Sequence, residues 1–207
     1  NPLTPIKLSA QRINHLFKSN NSNKSSSFKN CTETIIRQVS NIEKLVSEFS
    51  NFARMPEGNF ELIKLNNLVE TQINIQKIAN KNVNFKFISN KKKIEILCDF
   101  DQISRLLMNV LKNSVESSSK KNKEVLVSLN KKGKFVIIDI EDNGEGFEES
   151  NRENFFEPYM TKKINGTGLG LAICKKIVED HSGQIELLDS ESLGGAMVRI
   201  KLFIKTK

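Results

Sequence analysis

The sequence has no tryptophan, one tyrosine and only three cysteines in 207 residues. Cys31, Cys98 and Cys174 lie far apart and show no C-x-x-C spacing. They read as free thiols of a reducing compartment, not as a disulfide framework. Aromatic residues amount to 7% and do not interleave with the lysine runs Lys91-Lys92-Lys93 and Lys131-Lys132. A nucleic-acid groove needs stacking rings beside its charge, so no nucleic-acid partner is expected. The net charge of +8 reads as solvated surface with some attraction for anions. No apolar run approaches the roughly 20 residues that span a bilayer, and no signal peptide is visible. The chain opens Asn1-Pro2 without an initiator Met, so a fragment is expected, with any membrane link in segments outside it. Two common phosphate cradles are missing as well. There is no G-K-[ST] P-loop, and no βαβ unit surrounds the glycine-rich run.

Apolar residues make up 38%, enough for a core, and their spacing divides the chain in two. Leu3, Ile6, Ala10, Ile13 and Phe17 recur at helical steps over residues 3 to 18. Residues 19 to 27, SNNSNKSSS, read as a polar loop. Phe28, Ile35, Val39, Ile42, Val46, Phe49 and Phe52 then recur near heptad spacing, a helix of about seven turns stopped at Pro56 and Gly58. Two helices and a short loop make a hairpin. Their broad apolar stripes predict dimerisation into a four-helix bundle.

After residue 60 the periods mix. Helices are predicted over 62–79, 101–118 and 168–181, the last ended by Gly183 as its C′ residue. Strands are predicted over 83–88, 94–97, 124–129, 135–140, 184–188 and 197–204, with a turn at Gly133. The fold class is therefore α+β, a two-layer sandwich with a mixed sheet on helices. The helical hairpin takes residues 1–57 and the sandwich 60–207.

Candidate chemistry sits on four segments of the second unit. Asn109 and Asn113 share a helix face, with Glu116 three residues further on. Neutral amide oxygens suit Mg²⁺ shared with phosphate, although an ordinary polar face reads the same way. Asp142-Asn143-Gly144-Glu145-Gly146 follows the apolar strand FVIIDI. A carboxylate there can accept from adenine N6, and glycines let the backbone approach a flat base. A plain tight turn is the alternative. Phe155-Phe156-Glu157-Pro158-Tyr159, followed by Thr161, Lys162 and Lys163, offers rings to pin a loop and lysines to reach phosphates. Gly166-Thr167-Gly168-Leu169-Gly170-Leu171 opens a helix, where free N–H groups hold phosphate.

In this order, Asn-x-x-x-Asn, D-N-G-x-G, F-E-P-Y and G-T-G-L-G-L resemble the N, G1, F and G2 boxes of the histidine-kinase ATPase family. Gly194-Gly195 resembles its last glycine box. Asn1-Pro2-Leu3-Thr4-Pro5 looks like the tail of the H-E-x-x-N-P-L-T phosphoacceptor box of two-component sensor histidine kinases, whose histidine would lie just upstream. N-P-L-T-P-I, E-P-Y-x-T-K and Glu116 in place of a common lysine are most similar to sensor kinases of the nitrogen-regulation (NtrY) type.

The resemblance implies an ATP-binding kinase core with a lid between the second and fourth motifs. ATP and Mg²⁺ are the implied cofactors. Asp142, Gly144 and Gly146 would hold the base, Asn113 with Asn109 the metal. Tyr159, Lys163, Gly166, Thr167, Gly168, Leu169 and Gly170 would complete the nucleotide site. Phosphate would pass to the absent histidine and then to an aspartate of a response regulator receiver domain. Asn1 would orient water for the reverse, phosphatase reaction, and Glu116 would orient Lys112 or water. The implied protein is a homodimer, cytoplasmic in this part and anchored in the bacterial inner membrane as a whole. His15, with no adjacent acid, reads as a surface or bundle residue. His181, at a helix C-terminus, reads as a structural residue whose partial positive charge suits the dipole.

The alternatives are another ATPase of the same nucleotide fold and a nucleotide-binding dimerisation module without catalysis. Gyrase-, Hsp90- and mismatch-repair-type ATPases need a following transducer domain and carry an acid where Asn109 stands. An anti-sigma serine kinase would lack the hairpin.

Overall fold

The computed structural model describes residues 3–18, 24–53, 58–117, 120–148, 152–161, 163 and 166–204. It falls into two compact units, Asn1–Met55 with Lys162–Thr167, and Pro56–Thr161 with Gly168–Lys207.

The first unit is a helical hairpin of α1 (Leu3–Lys18) and α2 (Lys24–Ala53). Helix α2 begins inside the stretch expected to be loop, since Lys24 to Ser27 are already helical. Serines are tolerated in a first helical turn, where backbone N–H groups have no intrahelical partner. Thr32 and Thr34 return their hydroxyls to the carbonyls of Phe28 and Asn30, within the helix. Cys31 is buried, while Leu3, Leu8, Ile36, Val39, Val46 and Phe49 stay exposed. The expected stop at Pro56 and the role of Asn1 lie outside the described residues.

The second unit contains β1 (Phe60–Lys64), α3 (Leu65–Ala79), β2 (Val83–Ser89), β3 (Glu95–Asp99), α4 (Phe100–Glu116), β4 (Lys123–Lys132), β5 (Phe135–Asp142), α5 (Gly170–Asp180), β6 (Gln184–Asp189) and β7 (Ala196–Phe203). A 3₁₀ turn covers Glu153–Phe156. The main sheet runs β2-β4-β5-β7-β6. Only β2 and β4 pair in parallel; the other neighbours are antiparallel. Strict alternation places Val125, Val127, Leu129, Val136, Ile138, Ile140, Val198, Ile200 and Leu202 on one buried face, as a half-covered sheet requires. Helices α3, α4 and α5 pack on that face. Ile103, Leu106, Leu107, Val110, Leu111 and Val115 form the inner side of α4 and are all buried.

On the outer face, Arg199 and Asp139 form a two-pronged ion pair at 2.8 and 3.0 Å across β5 and β7.

Three local expectations are corrected. The start of the helix expected from residue 62 is strand β1, which pairs antiparallel with β3 as a separate two-stranded sheet. Only Ile63 of β1 is buried, so its period was too weak to read. Helix α5 starts at Gly170, not Gly168. Its C-terminal left-handed residue is Ser182, at φ +56, not Gly183. Ser182 N donates to Glu179 O and Gly183 N to Val178 O, each at 2.8 Å. That is a Schellman closure with serine at C′.

His181 is structural, but not through charge. It is 4% exposed, its Nδ1 lies 2.7 Å from Ile177 O, and its Nε2 accepts from Asp99 N at 3.0 Å. An imidazole that donates from one nitrogen and accepts at the other is neutral. The Asp99 carboxylate caps α4 by accepting from Gln102 N, and also takes Asn59 N.

Candidate functional site

Strand β5 ends in a carboxylate on the buried side. Asp142 is 2% exposed. Its Oδ1 accepts from Gly144 N at 2.8 Å and from Ala196 N at 3.3 Å. Two fixed donors on one oxygen fix the plane of the carboxylate. The turn that follows is tied down by Asn143. Its Oδ1 accepts from Glu124 N, its Nδ2 donates to Asn122 O, and its own N donates to Glu124 O. The middle residue of D-N-G thus locks the end of β5 to the start of β4, a role its motif did not reveal.

The last glycine pair closes this turn from the other side. A Cβ on Gly195 would lie 2.3 Å from Asp142 O and 2.4 Å from Gly144 N. Backbone therefore presses on backbone there, and no larger residue fits. Gly146, at φ +76, has Gly195 and Asp189 as its nearest neighbours.

Helix α4 brings the amides alongside. Its C-cap Ser117 lies against Gly144, because a Cβ there would come 2.3 Å from Ser117 Oγ. Asn113 Nδ2 is 3.9 Å from the Cβ position of Gly170, so the Asn-x-x-x-Asn helix meets the first residue of α5. Asn109 lies deeper. Its Nδ2 is buried without a hydrogen-bond partner in good geometry, although its side chain is near enough to Cys174 to favour that thiol's ionised form. Burial still dominates and pushes the Cys174 thiol up to about 12. Glu116 pairs with Lys112 at 3.8 Å on the exposed side of the helix.

The glycine-rich segment is divided. Leu169 is fully buried and acts as the N-cap of α5, with no side-chain cap, so its side chain belongs to the core. Gly168, at φ +70, packs on the Tyr159–Met160 backbone, where a Cβ would lie 2.4 Å from Tyr159 C. Tyr159 itself sits at φ +71 and donates its N–H to Gly168 O at 3.0 Å. A tyrosine in the left-handed region is uncommon; the cross-chain bond to Gly168 holds it there. The preceding aromatics pin the segment as expected. Phe155 meets Phe147 edge-on at 5.6 Å, and Lys175 lies 5.5 Å over the Phe156 ring. Arg152 donates to Asp189 Oδ2 at 2.5 Å, anchoring the 3₁₀ turn to the end of β6.

Lys163, Gly166 and Thr167 fall in the hairpin's unit, where the Thr167 hydroxyl donates to the Glu48 carboxylate. Asp142, Gly144, Gly146, Asn109, Asn113, Gly168 and Gly170 are brought together in the sandwich unit.

Residues 98–206 match the family described as histidine kinase-, DNA gyrase B-, and HSP90-like ATPase. Nitrogen regulation protein NtrY of Azorhizobium caulinodans is 37% identical over 98% of this chain, which spans 27% of that protein. The catalytic domain of histidine kinase ThkA, in a nucleotide-free form, superposes with a TM-score of 0.64 at 28% identity, covering 70% of this chain and 96% of that one. ThkA in complex with the response regulator protein TrrA shares the fold over 99% of this chain and 59% of that one, with a TM-score of 0.74 at 21% identity. The matched residues include every element that builds the Asp142 turn, and the chain belongs to the histidine kinase-, DNA gyrase B- and HSP90-like ATPase family.

Proposed function

We propose that this chain is the ATP-binding kinase core of a two-component sensor histidine kinase. The observation that carries the reading is the buried Asp142 carboxylate. One oxygen is committed to Gly144 N and Ala196 N, which leaves Oδ2 to accept from the exocyclic amine of adenine. The close-packed Gly144–Gly195 backbone would let the ring approach without a side chain in the way.

Asn113 is an oxygen donor of the kind Mg²⁺ takes alongside phosphate oxygens. Among the described residues no group of three or more His, Cys, Asp or Glu side chains could hold a metal. A cation here would thus be shared with the nucleotide. Bound Mg²⁺ would neutralise charge developing on the phosphates. Asn113 would hold it, together with Asn109 one turn earlier. The uncapped N-terminus of α5 presents backbone N–H groups to phosphate. Phosphoryl transfer needs chiefly positioning and charge neutralisation, so none of these residues attacks. The nucleophile is a histidine ring nitrogen of the kinase, and the phosphate then moves to an aspartate of a response regulator, a partner class seen with ThkA. Asn1 serves the reverse reaction by orienting water, and Glu116 orients Lys112. The exposed apolar stripe of the hairpin, Leu3, Leu8, Ile36, Val39, Val46 and Phe49, supports a homodimer closed as a four-helix bundle. No described helix is long and apolar enough to cross a membrane. A cytoplasmic place for this part, with an inner-membrane anchor elsewhere in the protein, belongs to the same reading.

Titration calorimetry on Asp142→Asn tests it. An amide must point its NH₂ either at the two backbone donors or at the adenine amine, so one contact becomes donor against donor. The expected loss is about 1.5–3 kcal/mol, or roughly 10- to 150-fold in ATP affinity. Unchanged affinity in the folded variant refutes the adenine assignment.

A further inference from the structure

Directly before Asp142, on the opposite face of β5, stands Glu141. Its Oε2 accepts from Ser190 Oγ and from Ser192 Oγ, both at 2.6 Å. Ser190 is 4% exposed. Its Oγ also accepts from Leu193 N at 2.9 Å, its N donates to Gly195 O, and its carbonyl accepts from Gly194 N. The β6–β7 loop is therefore a closed turn, and this carboxylate oxygen ties its two serine hydroxyls to β5.

The far end of the loop is what Asp142 depends on. Gly195 presses on the backbone of Asp142 and Gly144, and Ala196 N supplies the second donor to Asp142 Oδ1. That donor bond is long at 3.3 Å, so a small displacement of the loop breaks it. We infer that Glu141, with Ser190 and Ser192, is a positioning clamp for purine recognition. It holds the β6–β7 loop so that Ala196 N and Gly195 fix the plane of the Asp142 carboxylate. Glu141 does not touch the nucleotide. Two consecutive residues of one strand thus divide the work, Asp142 meeting the base on the inner face and Glu141 fastening its support on the outer face. The clamp needs an acceptor oxygen and not a charge, because both partners are hydroxyl donors.

This inference rests on the proposed adenine contact of Asp142, and the test separates the two. Dissociation constants are measured on the full chain for ATP and for purine riboside triphosphate, which lacks the exocyclic amine. Urea unfolding of each variant checks the fold. Wild type is expected to prefer ATP. Asp142→Asn abolishes that preference if the adenine reading holds; a preference that survives sinks that reading and the clamp with it. Given a responsive Asp142→Asn, Glu141→Leu is expected to cut the preference at least about threefold with less effect on the amine-free analogue. Glu141→Gln, which keeps an acceptor oxygen, stays within about twofold of wild type. Ser190→Ala gives a milder lesion of the same sign and decides the matter if Glu141→Leu fails to fold. A preference unchanged in folded Glu141→Leu or Ser190→Ala overturns the clamp. Equal loss for both nucleotides does so too, since it marks general damage to the pocket.

Discussion

Cys174 is a fully buried thiol, packed at the α4–α5 contact with its Sγ 3.8 Å from Leu106 O. Burial raises its pKa from 9.0 to about 12. The sign of the consequence follows from proton counting. Between those values the unfolded chain releases a proton that the folded chain keeps, so stability is full below about pH 9 and falls as pH rises. In urea unfolding between pH 9 and 11, Cys174→Ala should show a shallower decline than wild type by up to about 1.4 kcal/mol per pH unit. Parallel declines would show that the thiol ionises as readily in the fold as outside it. At this scale the sequence was legible where residue type and motif coincide. Asp142, Asn113 and the glycines carry their chemistry in their names. Glu141 and Asn143 do not, because their partners lie 49 to 51 and 19 to 21 residues away and no local period links them.

Secondary-structure elements were readable in proportion to how much they bury. Helix α4, with eight buried positions, and the strands of the main sheet stood out from their periods. Strand β1, with one buried residue, did not. Strand order and the single parallel pair β2–β4 are set by tertiary packing, which single-sequence periods do not encode. Helix ends were misread by small amounts for a definite reason. Glycine is the usual C′ residue, yet α5 places Ser182 there at φ +56. A side chain in that region costs about 1 kcal/mol relative to glycine. Ser182→Gly should therefore raise the urea midpoint by an amount equivalent to about 1 kcal/mol, without changing ATP affinity. A lower midpoint would mean that the serine side chain contributes more than its backbone costs.

For the molecule as a whole, the proposed homodimer rests on the exposed apolar side chains of the hairpin. Phe49 and Val46, on adjacent turns of α2, are 47% and 61% exposed. If a second copy covers them, light scattering after size exclusion gives twice the chain mass of 23.5 kDa. Val46→Glu should shift that to the single-chain mass, because an unpaired buried charge costs several kcal/mol. A monomeric wild type would remove the bundle from the proposal and leave the ATP site untouched. The hairpin was legible in the sequence, since heptad-like spacing needs no tertiary information. The grouping of Lys163, Gly166 and Thr167 with the hairpin's unit was not, because a glycine-rich segment carries no periodic signal.

The bond from Ala196 N to Asp142 Oδ1 joins residues 54 positions apart. All four nucleotide motifs are complete by Leu171, yet the donor that orients the carboxylate arrives only with β7. A nascent chain emerging from the ribosome therefore exposes those four motifs before it owns a finished pocket. Nucleotide binding becomes a reporter of the last strand's docking, and ATP stabilises the completed sheet in preference to any chain that stops short of it.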